Sequence, residues 1–405
     1  MVAQVRMGVR VLVPLGRSKT YTAMAVRLHS EKPEFETRPI IQVIDAEPVL
    51  IEQQLRLWQW ISTYYMSPIG DVFKAALPAG LKAEENYRPK TVRCVTLPAN
   101  LRSEQSLHMA LTILKRALKQ HQTFITYLEL SHWNEIDGDT PPAHIAEIAC
   151  DELQNAANAS DAVLRQLIQR NFLELYHREV GRLNTSGEYH PERIQPLSPA
   201  QKAAEDSISR QFNEKNVVLL HGVTSSGKTE IYIHLIKKAI DEGKQVLYLL
   251  PEIALTVQMT RRLHNVFGSR LGIYHSRYSD AERVEIWKKQ LSAEPYDVIL
   301  GARSAIFLPF TRLGLVIVDE EHETSFKQQD PAPRYHARSA AIMLARMYEG
   351  AKVLLGTATP SMESYHNACT GKYGYVQLTT RYKDVAMPEI RVVDTKDLYR
   401  RKMMR

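Results

Sequence analysis

The run Gly222-Val223-Thr224-Ser225-Ser226-Gly227-Lys228-Thr229 completes the pattern G-x-x-x-x-G-K-[ST]. Its chemistry is that of a bound triphosphate. Glycines let the main chain fold around anionic oxygens, and amides at a helix N-terminus point at them. Lys228 is expected to reach the β and γ phosphates of ATP, and the Thr229 hydroxyl to ligate Mg²⁺. The apolar run Val217–Leu220 precedes the loop and a helical pattern, Thr229–Ile240, follows it. That context separates a phosphate loop from an ordinary Gly/Ser turn.

A second group, Asp319-Glu320-Glu321-His322, follows the apolar run Leu315–Val318. A carboxylate at the end of a buried strand is where a phosphate-loop ATPase holds its Mg²⁺, so Asp319 is the expected metal ligand, at the end of a strand adjacent to that of the loop. Glu320 is then placed to orient or deprotonate the attacking water. A third group, Gly356-Thr357-Ala358-Thr359-Pro360-Ser361, follows Val353–Leu355. Its hydroxyls can hydrogen-bond to an acid–histidine pair such as Glu320 and His322, relaying nucleotide state to another surface. Between these groups, Phe326-Lys327-Gln328-Gln329 and Arg334-Tyr335-His336-Ala337-Arg338 interleave aromatic and basic residues. Phe326, Lys327 and Tyr335 suit stacking on unpaired bases; the alternative is that the rings only pack the loop onto its domain.

Positioning these groups requires strands whose ends meet. Five short apolar runs, Val217–Leu220, Val246–Leu250, Val298–Leu300, Leu315–Val318 and Val353–Leu355, alternate with helical patterns such as Ala254–Phe267. Continuous apolar strands between helices imply a parallel sheet covered on both faces. The expected fold class is therefore α/β, with a phosphate-loop, RecA-like lobe over residues 197–380 and a linker over 381–405.

Two smaller parts precede it. Residues 1–85 read as a small β-rich domain: Val9–Pro14, Thr22–Leu28 and Pro39–Ile44 are strand candidates, with Leu15–Ser18 as a turn, and Glu52–Tyr65 has helical spacing. The polar stretch Lys82–Lys90 opens a linker placed at 86–103. Residues 104–196 read as winged-helix-like. Leu107, Leu111, Leu114 and Leu118 form one apolar stripe, Ala162–Gln169 another, and Phe172–Val180 alternates as a wing hairpin would.

The bulk composition narrows the class without deciding it. The net charge is +7 and the pI about 9.1, a balance that favours polyanionic partners. No apolar run approaches the roughly 18 residues of a membrane span, and Met1–Arg6 has no apolar core of a signal peptide. A cytoplasmic protein without a membrane partner is expected. The three cysteines, Cys94, Cys150 and Cys369, lie far apart, which argues against a disulfide framework and against a local zinc site.

The phosphate loop, DEEH and GTATPS, in that order, resemble superfamily 2 helicases of the DExH type. By that resemblance Leu197-Ser198-Pro199-Ala200-Gln201 is an adenine-reading segment with Gln201 as base contact. LLPEIALT (250–256 with Leu249) and Gly301-Ala302-Arg303-Ser304-Ala305 are loops that track a DNA backbone, Arg303 suiting phosphate contacts. LLPEIALT, GARSAIF, DEEHETSFKQQ, PRYHARSAA and GTATPS together, with RVLVPLGR near the N-terminus and Tyr64-Tyr65-Met66-Ser67-Pro68-Ile69-Gly70-Asp71-Val72, resemble the PriA (primosomal protein N′) family of bacterial replication-restart helicases.

The resemblance implies a DNA-dependent ATPase that unwinds with 3′→5′ polarity at abandoned forks and helps to reload the replicative helicase. Implied partners are forked DNA with its nascent 3′ end, primosome and helicase-loading proteins, and single-stranded-DNA-binding protein; a nucleoid-associated monomer is implied as well. Gly16 and Arg38 would lie near the 3′-end pocket, Arg38 standing where the family has lysine. Relatives begin earlier, with a strand that helps form that pocket, and continue into a second motor lobe, a cysteine-rich zinc module and a further domain. Zinc is therefore expected only in that later part. Without the second lobe's arginine, an effect of about 10³–10⁵ in rate in other phosphate-loop enzymes, the 405 residues are expected to bind ATP and DNA but hydrolyse poorly. Two other readings stand beside this one: a restriction-type or RNA translocase of the same motor class, and a non-motor platform that recognises forks.

Overall fold

The computed structural model describes residues 5–16, 19–82, 91–132, 146–179, 187–254, 257–275, 278–381 and 395–400. By contact the chain divides into one unit made of residues 1–87 with 185–405, and a second made of residues 88–184.

The N-terminal part of the first unit is a three-stranded antiparallel sheet, ordered β2 (Lys19–Met24), β1 (Arg10–Leu15), β3 (Gln42–Val43). Gly16 turns the chain with φ +69°, and Arg17 and Ser18 of the expected turn lie outside the described residues. Arg10 is buried on this sheet and paired in bidentate fashion with Asp45, at 2.9 and 2.7 Å. The helix expected at Glu52–Tyr65 is α1 (Glu52–Tyr64), followed by α2 (Ile69–Ala76).

This part is bolted to the phosphate-loop lobe. Gln54 Nε2 donates to the Phe307 carbonyl at 2.6 Å, and Trp287 Nε1 to the Val49 carbonyl at 2.7 Å. Asp280 accepts the main-chain amides of Ala79 and Gly80. The bonds of Gln54 and Trp287 are buried, so separation would leave their polar groups unpaired.

The second unit has a sheet ordered β5, β4, β6, with β4 (Thr91–Thr96) central. Around it lie α3 (Glu104–Leu114), α4 (Leu118–Ser131), β5 (Ile148–Ala149), α5 (Cys150–Ala157), α6 (Asp161–Gln169) and β6 (Glu174–Glu179). Three expectations are corrected here. The linker placed at 86–103 contains β4, which pairs along its whole length with β6. Its residues Cys94, Val95 and Thr96 are buried, as a middle strand requires. Phe172–Val180 is not a hairpin but contributes this one strand; Val180 itself lies outside the described residues. The leucine stripe is also split. Leu107 and Leu114 are buried, but Ala117 leaves helical geometry (φ −125°, ψ 79°) and Leu118 starts a new helix 79% exposed.

The phosphate-loop lobe runs through α7 (Pro199–Glu214), β7 (Val217–Gly222), α8 (Lys228–Asp241), β8 (Gln245–Leu249), α9 (Val257–Phe267), β9 (Leu271–Tyr274), α10 (Asp280–Leu291), β10 (Val298–Gly301), β11 (Leu313–Asp319), α11 (Ala337–Ala345), β12 (Lys352–Thr357), α12 (Met362–Cys369) and β13 (Gly374–Leu378). A short helix, α13 (Thr395–Arg400), lies within the stretch expected as a linker. All seven strands are parallel, in the order β13-β7-β12-β11-β8-β10-β9. The five expected strands are present, and β9 and β13 extend the sheet at its two edges. Residues of β7, β8, β10 and β11 are buried almost without interruption, because helices cover both faces. No helix among the described residues is long and apolar enough to cross a membrane.

Candidate nucleotide site

The phosphate loop joins the end of β7 to the start of α8. Ser225 and Gly227 adopt left-handed backbone, φ +63° and +79°. A Cβ at Gly227 would come within 2.2 Å of Gln201 Nε2, so glycine is required there by space as well as by conformation. The loop is held from below. Gln201, 1% exposed, accepts the Ser198 amide on Oε1 at 2.8 Å and donates through Nε2 to the carbonyls of Ser226 and Gly227. Both ends of this amide are thus committed, one to capping α7 and one to the loop. The Gln201 amide, expected as a base contact, supports the loop in this structure.

Lys228 is buried, and its ammonium donates to the Gly222 carbonyl at 3.0 Å. Thr224 to Glu230, with Asp319, Glu320, Arg262, Gln195 and Pro196, line a single cavity of about 420 Å³. Val223 stands at the loop's entry, its amide bonded to the Leu378 carbonyl. The Ser226 hydroxyl is buried without a hydrogen-bond partner.

Asp319 and the loop share this cavity, although their strands are not neighbours: β12 lies between β7 and β11. The adjacency expected from sequence is corrected; the carboxylate reaches the loop from two strands away. The Tyr232 hydroxyl donates to Asp319 Oδ1 at 3.0 Å and the Tyr248 hydroxyl to Oδ2 at 3.2 Å. The Thr229 side chain is within hydrogen-bonding reach of the same Tyr248 hydroxyl. Burial above all, then the neighbouring Glu320 charge, pushes the Asp319 carboxyl up to about 6; the Tyr232 hydroxyl, Lys228 and the Tyr248 hydroxyl act against this. A cation beside Asp319 would relieve that penalty. With the Thr229 hydroxyl nearby, the donor set is hard oxygen, which fits Mg²⁺.

The acid motif is then divided by function of place. Glu320, at φ +48°, turns into the cavity. Glu321 turns the other way, fully buried, and accepts from Ser361 N (2.7 Å), Ser364 Oγ (2.8 Å) and Arg338 Nη1 (2.5 Å). Burial raises its carboxyl, but the Ser361 amide and Arg338 outweigh this and hold it below the usual range. His322 Nδ1 lies 2.7 Å from Thr357 Oγ1 and its Nε2 lies 3.3 Å from Thr359 Oγ1. Glu320 Oε2 is 3.7 Å from the same Nδ1. The third motif is therefore brought to the acid–histidine pair, while its Ser361 serves Glu321.

The residues expected to meet DNA are distributed less simply. Arg38 Nη1 donates to the Gly16 carbonyl, so those two are brought together. Arg303 donates to the carbonyls of Ser325 and Lys327, the latter at 3.0 Å, and braces the following loop. Phe326 and Tyr335 are each 1% exposed, with Tyr335 edge-on to Phe307. Neither ring offers a face to a base, so the expectation of stacking on them is corrected: they pack the loop onto the lobe. Lys327 remains half-buried, its ammonium donating to the Arg334 carbonyl. Leu255 and Thr256 of the LLPEIALT segment lie outside the described residues.

Sequence reasoning missed Tyr232, Tyr248, Arg262 and the Glu321–Arg338 pair. Spacing marks Tyr232 as one more apolar residue of α8, and Tyr248 as one of a buried strand. Their hydroxyls gain meaning only when the strands align.

Comparison with known proteins gives three matching family profiles. These are described as 3'DNA-binding domain (3'BD) over residues 1–78, as winged helix domain, PriA helicase, Bacteroidota over 92–180, and as DEAD/DEAH box helicase over 198–368. The chain is similar to the replication restart protein PriA of Bacillus subtilis, 32% identical over 97% of this chain and 54% of that one. The protein of that name from Haemophilus influenzae is 33% identical over 97% of this chain and 51% of its own. That from Rickettsia conorii is 45% identical over 49% of this chain and 30% of its own. The chain spans about half the length of the first two relatives.

Proposed function

Because the chain belongs to the PriA family of replication restart proteins, we propose that it is the ATP-binding, DNA-engaging part of a 3′→5′ DNA helicase acting at stalled forks. The observation that carries this reading is the shared cavity. Lys228, Thr229, Asp319 and Glu320 face one another across about 420 Å³, enough for a triphosphate.

In this reading Lys228 exchanges its bond to the Gly222 carbonyl for the β and γ phosphates, and the loop amides and Ser226 hydroxyl hold the remaining oxygens. Mg²⁺, when bound, offsets phosphate charge; Asp319 and the Thr229 hydroxyl would hold it. Glu320 orients a water toward the γ phosphorus and accepts its proton as ADP leaves. His322, held to Thr357 and Thr359, couples that carboxylate to the end of β12. The pair Gly16 and Arg38 would receive the nascent 3′ end. Primosome proteins, the helicase loader and single-stranded-DNA-binding protein are the partners this reading implies. The purified 405-residue chain is expected to bind ATP together with Mg²⁺.

Lys228→Ala tests the reading. Mg-ATP binding should be lost while affinity for a forked DNA stays near wild type. Unchanged nucleotide affinity in this variant would remove the motor assignment. A companion test compares forks ending in 3′-hydroxyl and 3′-phosphate: indifference to that change counts against the restart role.

A further inference from the structure

Trp60 and Tyr64, one helical turn apart on α1, hold their rings nearly parallel, with centroids 4.9 Å apart and planes at 18°. Tyr64 is 63% exposed and nearby Met66 92% exposed. Such a pair turned to solvent is uncommon, because burying a large ring is among the most stabilising contacts a side chain can make. Tyr65 meets both rings edge-on and faces inward. Its hydroxyl accepts the His336 amide at 3.1 Å, and the Lys327 ammonium lies 5.2 Å from its ring centre. The pair, exposed at Tyr64, is thereby joined to the segment 326–336, which leads from the acid motif to α11. Arg334 on that segment, and Arg56 one turn before Trp60, are exposed.

We propose that the Trp60–Tyr64 pair is a stacking platform for an unpaired base of single-stranded DNA, with Lys327, Arg334 and Arg56 supplying charge to the flanking phosphates. Flat aromatic faces beside cations are what sequence-tolerant single-strand sites combine. A rim of positive side chains complements a polyanion and not the apolar face of a protein. The inference rests on the DNA-handling reading above, and moves base stacking from the interior Phe326 and Tyr335 to the helix that touches their loop.

The test is anisotropy titration of the purified 405-residue chain with a fluorescent oligothymidylate of about 20 nucleotides, longer than the ~4–16 nucleotides such grooves occupy, and with a duplex as control. Tyr64→Ala and Trp60→Ala should each weaken single-strand binding about tenfold, within the range for loss of one stacked base, with duplex binding unchanged. Tyr64→Phe keeps the ring and should keep the affinity. The Tyr64→Ala loss should persist as salt is raised, while that of Lys327→Ala shrinks. Trp60 is half-buried, so Tyr64, mostly in solvent, carries the test if Trp60→Ala disturbs α1. Wild-type affinity in Tyr64→Ala, or an equal loss in Tyr64→Phe, overturns the platform and leaves the DNA reading standing. A wild-type chain that binds neither strand form overturns both.

Discussion

Tyr248 and Asp319 meet across neighbouring strands β8 and β11, the phenolic hydroxyl donating to Oδ2 at 3.2 Å with both groups buried. The second oxygen is met by Tyr232, so the carboxylate is fixed in rotation before any cation arrives. Hydrogen bonds to charged groups contribute about 1.5–3 kcal/mol. Tyr248→Phe should therefore raise the Mg²⁺ concentration needed for ATP binding about tenfold, read by titrating Mg²⁺ against a fluorescent ATP analogue. An unchanged requirement would mean that the hydroxyl only fills space.

Gly227 has no room and no conformational latitude for a side chain. Gly227→Ala should weaken nucleotide binding by at least about tenfold, since left-handed backbone at a non-glycine residue costs about 1–3 kcal/mol. Adding Gln201→Ala removes the nearest atom but not the strain, so affinity should recover only in part. Full recovery in the double variant would show that crowding alone matters. Calorimetric titration with ATP measures both.

Arg338 and Glu321 form an ion pair with side chains 12% and 0% exposed. Breaking one partner of such a pair leaves the other charged and unsolvated, at about 3–5 kcal/mol. Arg338→Met is expected to lower the urea midpoint by a corresponding amount while the slope stays constant. A loss below about 1 kcal/mol would place this pair with the surface ion pairs.

His336 caps α11, its Nδ1 accepting the Arg338 amide at 3.3 Å. Burial first, then Arg338 and Lys327, lower its pKa from 6.5 to about 4. A group depressed in the folded state is more protonated in the unfolded chain, so stability is full above pH 6.5 and falls as pH drops toward 4. His336→Asn supplies a cap without a titrating ring. Its melting temperature should fall less than wild type over that window, and parallel curves would exclude His336 as a source.

Much of the phosphate-loop lobe was legible because its signals are local. The loop from Gly222 to Thr229, the carboxylate at Asp319 and five apolar runs each announce themselves within a few residues. What stayed hidden depends on distant partners. Strand Thr91–Thr96 looks like linker until Glu174–Glu179 pairs with it. The edge strands Leu271–Tyr274 and Gly374–Leu378 are short, and only the sheet gives them register. Phe326 and Tyr335 carry the composition of a stacking surface, and nothing in their neighbours reveals that Phe307 covers Tyr335. Gln201 likewise has one sequence context and two possible uses for its amide, between which folding chooses.

The bonds from Gln54 to Phe307, Trp287 to Val49 and Asp280 to Ala79 have a mechanical consequence. Three rivets spread over separate elements tie the first eighty or so residues to the seven-stranded sheet, as cargo on a chassis. On the proposed reading, these bonds oppose any change in distance between a strand end held near Gly16 and a triphosphate held at Lys228.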